Sequence, residues 1–219
     1  MKLSISGNPD FGEAHLTLSP GERFRVVSGA MNTMDPHLGM RIRLLGGFFA
    51  SLIRKVLGGV SLFITEYSSD QERTLTVAPE LPGTLCQLKL EGGTLILTSG
   101  AFLGCSEGIR LRTIFGGFRA FFSGKGAFFI EASGTGDLLY GAYGAIIEHH
   151  LDGELIADNG HALAWEPSVD FKLTGMGGIK QTLFSGEGLV LRFSGRGKIW
   201  LQTRHLGATA GWLTGFCKG

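Results

Sequence analysis

Cysteine is too scarce here to organise a fold. Cys86, Cys105 and Cys217 are the only three in 219 residues, an odd number with no Cys-x-x-Cys spacing. Neither a disulfide framework nor a zinc knuckle is expected, and a reducing, cytoplasmic setting fits the thiols. An excess of charge is also missing, since 20 Lys and Arg stand against 19 Asp and Glu. Such a chain exerts no global pull on nucleic acid or an anionic membrane, and sequence-specific nucleic-acid recognition is not expected. No apolar run reaches the roughly 18 residues a spanning helix needs. The longest candidate, around Gly46 to Thr65, carries Arg54 and Lys55 at its middle. The opening "MKLSISGNPDFGE" has no apolar segment of the secretory kind, so no signal peptide is expected. Chemical signatures are lacking too: there is no GxSxG elbow, no Walker loop and no GxGxxG opening a helix. The Gly-rich "GKGAFF" leads into a strand pattern, which lacks the helix N-terminus that cradles phosphate.

Glycine is what the chain has in abundance, 36 residues against a typical share near 7%. The glycines separate apolar runs of strand length, the pattern of a turn-rich all-β protein. With 43% hydrophobic and 18% charged residues, the chain is globular.

Those runs repeat. "SGKGAFFIEASGTG" (Ser123 to Gly136) is echoed by "SGEGLVLRFSGRG" (Ser185 to Gly197) and, more faintly, by "LGGVSLFITEYSS" (Leu57 to Ser69). Ser61 and Ser68 are seven residues apart, as are Gly126 and Ser133, but Gly188 and Ser194 are six apart. One missing residue in a strand swaps its faces, so a bulge or altered turn is expected in the third copy. Upstream of each copy comes a second shared element: "LSPGERFRVVSGAM", "LEGGTLILTSGAF" and "LDGELIADNGHAL". Its Pro-Gly, Gly-Gly and Asp-Gly pairs predict tight turns before each short strand. Between the shared elements lie "GGFFASLIRKVLGG", "GGFRAFFSG" and "GGIKQTLFSG". In the first, Phe48, Phe49, Leu52, Ile53, Val56 and Leu57 fall at helical spacing, predicting one short helix near 48–57. The chain therefore divides into three β units, 1–85, 86–150 and 151–219. "GLVLRF" places Leu189, Leu191 and Phe193 opposite Val190 and Arg192. "AFFIEA" is likewise apolar on both sides, as when one face packs within a unit and the other against a neighbour.

The segments "SGAMNTMDP" (Ser28–Pro36), "GGVSLFITEY" (Gly58–Tyr67), "GAIIE" (Gly144–Glu148), "LAWEPSVDF" (Leu163–Phe171) and "GGIKQTLFSGEGL" (Gly177–Leu189), with "APELPG" (Ala78–Gly83) as a link, resemble a known family. It is the altered-inheritance-of-mitochondria family, bacterial and mitochondrial proteins built from repeats like the tryptophan RNA-binding attenuation protein. The matches run in order along nearly the whole chain. "EHHL" departs from the basic residue and acid that more often follow "AIIE" in the family. The resemblance implies three tandem β-sandwich-like units of the double-stranded β-helix class, with pseudo-threefold symmetry, and homotrimers whose nine units close a ring. It implies no established activity for bacterial members, and a part in inner-membrane organisation for mitochondrial ones. The attenuation protein's RNA and tryptophan sites have no matching residues here.

The densest polar stretch, Ile146 to Glu166, holds Glu148, His149, His150, Asp152, Asp158 and His161. A metal needs such groups converging on one point, and on a strand His149 and His150 face opposite ways. A turn at Asp152–Gly153 brings His161 back toward His150, so these two are the candidate ligands, but a solvated hairpin explains them better and no metal or cofactor is expected. Ser123, Ser133, Ser185 and Ser194 recur without a recurring His or acid, as turn residues rather than nucleophiles. Arg54, Lys55, Arg119 and Lys180 occupy corresponding Gly-Gly segments. Beside Phe48, Phe49, Phe118 and Phe122 they form a candidate partner-facing band for single-stranded RNA, a membrane surface or a protein, with a solvated face as the plainer alternative. Trp165, Trp200 and Trp212 read as core or interface residues. The expected function is a non-catalytic, ring-forming scaffold or binding module. The competing expectation is a small-molecule- or metal-dependent enzyme with its site between units.

Overall fold

The computed structural model describes residues 1–45, 63–115, 128–175 and 189–217. The helix expected near 48–57 lies outside them. The chain is predominantly β, with large antiparallel sheets, as composition and patterning predict. In order come β1 (Lys2–Ser6), β2 (Glu13–Leu18), β3 (Arg23–Val27), β4 (Met31–Met34), β5 (Gly39–Leu44), β6 (Phe63–Ser68) and β7 (Arg73–Val77). Then come β8 (Leu85–Thr98), β9 (Phe102–Ser106), β10 (Ile109–Phe115), β11 (Phe128–Gly141), β12 (Ile146–Asp158), β13 (Ala162–Trp165), β14 (Val169–Gly175) and β15 (Leu189–Gln202). A helix, α1 (Leu206–Thr214), follows β15.

Alternation builds the first strands. In β2, Ala14, Leu16 and Leu18 are buried while Glu13, His15 and Thr17 point away. In β3, Phe24 and Val26 turn inward between Arg23, Arg25 and Val27. Four strands form one sheet, ordered β1-β2-β7-β4. The other eleven follow β12-β15-β13-β8-β11-β9-β3-β6-β5, with β10 added on β11 and β14 on β15.

The same pairing pattern occurs three times. Hairpins β5·β6, β10·β11 and β14·β15 begin with Leu44 opposite Phe63, Phe115 opposite Phe128 and Gly175 opposite Leu189. The strands after the hairpin connections start at Phe63, Phe128 and Leu189, each five positions before the serine at 68, 133 or 194. The residue missing from the third copy therefore falls ahead of β15, and β14·β15 and β12·β15 run without a register shift. Of the two expectations for the third copy, a bulge does not form along β14·β15 or β12·β15, and an altered turn would lie in the connection before Leu189, outside the described residues; in the second copy β11 slips against β8 between Gly134 and Thr135. Tight turns recur as Ala30 N→Val27 O, Ala101 N→Thr98 O and His161 N→Asp158 O. Shortly after each, register slips again: between Met31 and Thr33, between Phe102 and Gly104, and between Ala162 and Ala164. Phe11, Gly83 and Gly144 line up through two isolated parallel bridges.

Two expected turns are strands. Gly92–Gly93 lies inside β8, and Asp152–Gly153 inside β12, with Asp152 opposite Arg196 and Gly153 opposite Gly195. Ser133–Gly134 and Ser194–Gly195 are likewise interior to β11 and β15. Gly134, at φ 126, bends β11 as its partner changes from β10 to β9, a strand corner rather than a reversal. Pro20–Gly21 does turn as expected, with Gly21 N→Ser69 O and Glu22 N→Ser19 O bonds. The boundary expected at 150/151 falls within β12.

Three apolar clusters form the core, one around Phe24, Leu75 and Val77, one around Leu97, Ile130 and Leu138, and one around Trp165, Leu191 and Phe193. Each borrows from its neighbour, the first taking Leu85, Leu103 and Leu139 and the third Ile96 and Phe129. Arg25 fastens the first junction, its guanidinium donating to the carbonyls of Ser106 (3.1 Å), Glu107 (3.0 Å) and Ile109. Hydrogen bonds from a charged donor are worth roughly 1.5–3 kcal/mol. Arg25→Ala is expected to cost about 2–3 kcal/mol in urea unfolding, and Arg25→Lys less, because all three bonds come from the one Nη2 nitrogen, which an ammonium can partly replace. An unchanged midpoint for both would refute this role.

Candidate functional surface

The histidine cluster does not converge. In β12, His149 lies opposite Ile199 and His150 opposite Lys198. His161 sits beyond the turn that closes β12, its Nδ1–H donating to the Gln202 carbonyl at 2.7 Å. Lys198 and Gln202 are four residues apart on β15, so the two candidate ligands are separated by about 13 Å along the strand. The expected convergence fails because no turn forms at Asp152–Gly153. His161 meets His205 instead, ring centroids 4.9 Å apart and edge-on. His205 caps α1, its side chain accepting from Ala208 N. Among the described residues no group of three or more His, Cys, Asp or Glu comes together as a metal site.

Glu148 is already satisfied. It accepts from Lys198 Nζ at 2.9 Å and Trp200 Nε1 at 3.0 Å, and lies 3.2 Å from His150 Nε2. The Lys198 hydrogen bond holds the Glu148 carboxyl below the usual carboxylate range and lifts the lysine in turn. This solvent-facing ladder explains Trp200 as a strand residue with a polar partner. Trp165 is fully buried, whereas Trp212 is exposed on α1.

Two of the three thiols are muted by burial. Burial pushes the Cys105 thiol up to about 12 and raises that of Cys86, which removes thiolate character. Ser133 and Ser194 lie in paired strands; Ser123 and Ser185 are outside the described residues. So are Arg54, Lys55, Arg119 and Lys180, the whole expected basic band, with Phe48, Phe49, Phe118 and Phe122.

Two features went unnoticed in the sequence. The first is an open cleft of about 340 Å³ over β12, β15 and β14. One row across it is Lys172, Arg192 and Ile156, the next Asp170, Ser194 and Glu154. Two residues before the serine, the other hairpins carry an acid: Glu66 bonds Arg43 at 2.9 Å, and Glu131 takes Arg112 bidentately at 3.0 and 2.8 Å. Arg192 stands there in the third, setting two cations opposite each other. Comparing "TEYS", "IEAS" and "LRFS" in the sequence reveals this change.

The second feature is a pair of open strand edges. β9 is flanked by β11 and β3, and β13 by β15 and β8, but among the described residues β4 pairs only with β7. β3 is flanked by β6 and β9, and the second half of β8 by β11 and β13, but among the described residues the second half of β12 pairs only with β15. Exposure follows. Met31 is 40% and Ile156 46% exposed, whereas Phe102 and Ile96, at the corresponding places, are 3% and 7%.

The arrangement is thus a large antiparallel β protein offering edges and an open face. Residues 3–204 match the family model for mitochondrial biogenesis AIM24, and the chain belongs to that family. An uncharacterised protein of Streptococcus pyogenes serotype M6 is 30% identical over 224 residues, covering 97% of this chain and 90% of that protein. A crystal structure of a Streptococcus pyogenes protein, solved by a structural genomics consortium, superposes with a TM-score of 0.83 at 28% identity, over 98% of this chain and 99% of the other. No helix among the described residues is long and apolar enough to cross a membrane.

Proposed function

We propose that the protein is a non-catalytic oligomeric scaffold or binding module, a cytoplasmic homotrimer whose tandem attenuation-protein-like units close into a ring. The observation carrying this reading is the pair of open edges at β4 and the second half of β12, whose counterparts β9, β13, β3 and the second half of β8 are paired on both sides. The threefold pairing pattern supports three units per chain, the second beginning near Leu85 and the third near Ile146, where β8 and β12 start. An open edge is a template for further pairing, and a head-to-tail contact either closes by rotation or grows without limit. Closure pairs these two edges with each other. The three unpaired thiols suit a reducing compartment. A protein partner or a membrane surface remains the proposed target of the basic residues Arg54, Lys55, Arg119 and Lys180, on the grounds of their sequence pattern.

Light scattering coupled to size exclusion is expected to give about three times 23.4 kDa. A monomer that persists at high concentration would refute the ring.

A further inference from the structure

Resting on the ring reading, we infer that successive copies join by pairing the second half of β12 of one copy with β4 of the next, antiparallel, with Ile156 opposite Met34 and Ala157 opposite Thr33. The register comes from the two junctions inside the chain. At the first, Arg25 lies opposite Cys105 and Val26 opposite Gly104. At the second, Ile96 lies opposite Trp165 and Leu97 opposite Ala164. The recurring turns fix the correspondence. Arg25, Ile96 and Ile156 each stand two residues before the carbonyl that closes their turn, at Val27, Thr98 and Asp158. Cys105 and Trp165 each stand four residues after the amide of theirs, at Ala101 and His161, and Met34 stands four after Ala30. Two independent junctions thus use one register, and it transfers to the open ends without insertion or deletion.

The chemistry of the ends fits a second copy of this chain. β4 is exposed along Met31, Asn32 and Thr33, while its counterparts β9 and β13 are buried at those places under the preceding unit. The next strand repeats the contrast. In β5, Met40 and Ile42 are 55% and 69% exposed. The counterparts of Met40, Leu111 and Phe171, and one counterpart of Ile42, Leu173, pack against the apolar clusters, Phe171 lying 5.0 Å from Phe129 of the preceding unit. Pairing β4 to β12 brings β5 over β15 in the same manner and covers both exposed patches together. Nothing in the register sets like charges opposite, since Leu155 falls opposite Asp35.

A cross-link tests the register. Residues directly opposite on antiparallel strands have Cα atoms about 4.5–5.5 Å apart, within disulfide range. In a Cys217→Ser background, a Met34→Cys/Ile156→Cys double variant is expected to oxidise to covalent oligomers comprising most of the chains. Either single variant, or a pair displaced by two residues (Met34→Cys/Glu154→Cys), should stay largely uncrosslinked. Separately, Ile156→Asp keeps the isolated fold, because the site is exposed within one chain, and should lower the mass by light scattering with an unchanged circular dichroism spectrum. If the parent protein is oligomeric but the double variant does not cross-link, or the displaced pair links equally well, the junction is wrong and the ring stands. An Ile156→Asp variant that keeps the full mass overturns the junction too. A monomeric parent overturns both.

Discussion

Gly83→Ala is expected to leave little or no folded protein. Gly83 is buried and sits between Phe11 and Gly144 in the line of parallel bridges. Its carbonyl accepts from Gly12 N at 3.0 Å, while Gly144 N donates to Pro82 O at 3.0 Å and Thr84 N to Gly144 O at 2.9 Å. Three separate chain segments therefore meet there backbone to backbone. A Cβ on Gly83 would lie 2.1 Å from the Ala142 carbonyl oxygen, 2.5 Å from Gly144 N and 2.7 Å from Gly144 O. All three are main-chain atoms, so no rotamer change relieves the clash. The φ of 154° adds a conformational cost. Losses above about 4 kcal/mol are exceptional for one substitution, and this one belongs with them. Gly21→Ala is the control. Its φ is 80°, yet nothing lies within 4 Å of the new Cβ, so only the left-handed penalty of about 1–2 kcal/mol applies. Urea unfolding by circular dichroism separates the two, and equal midpoints would refute the steric argument.

The fold was legible where side-chain alternation decides it. β2 and β3 show their buried faces in the sequence because one face meets a core and the other does not. The Ser-Gly pairs were ambiguous. Ser28–Gly29 and Ser99–Gly100 reverse the chain, whereas Ser133–Gly134 and Ser194–Gly195 bend a continuous strand. The dipeptide is the same in both settings. The outcome depends on the strands alongside, since Gly134 is held between Ile109 of β10 and Gly93 of β8. The helix α1 gave no periodic signal: "LGATAGWLT" has two glycines, no acid in its first turn, no base in its last, and buries nothing. It forms after β15 ends, with His205 as its cap.

The candidate sites were less legible, for reasons of pleat and partner. Glu148, His149, His150 and His161 are close in sequence, but a strand separates neighbours by face and spaces the rest along its length. Glu148 found its partners on β15, fifty residues away in sequence, where Lys198 and Trp200 happen to share its face. The cleft and the open edges depend on which strand lies beside which. Arg192 was visible as an acid-to-base change among the three copies, although its meaning needed Lys172 placed opposite.

Trp165→Ala is expected to cost about 3–5 kcal/mol, the range for removing a large aromatic side chain from a packed core. Trp165 is fully buried. Its ring packs edge-on against Phe129 at 5.3 Å, Phe171 at 4.8 Å and Phe193 at 5.2 Å. Phe129 belongs to β11 and the other two to β14 and β15, so the indole ties β11 to the β14·β15 hairpin. Its strand pairs with β15 on one side and β8 on the other, which leaves the backbone little freedom to close the void. The indole nitrogen is buried with no acceptor among the described residues. Trp165→Phe therefore breaks no hydrogen bond and should cost less than half as much as the alanine change. For a chain of this size each kcal/mol moves Tm by about 2–4 °C, so the alanine variant should melt on the order of 10 °C lower. Calorimetry of the two variants beside the parent checks both the size and the order. A Trp165→Phe loss as large as that of Trp165→Ala would show that the indole does more than fill volume.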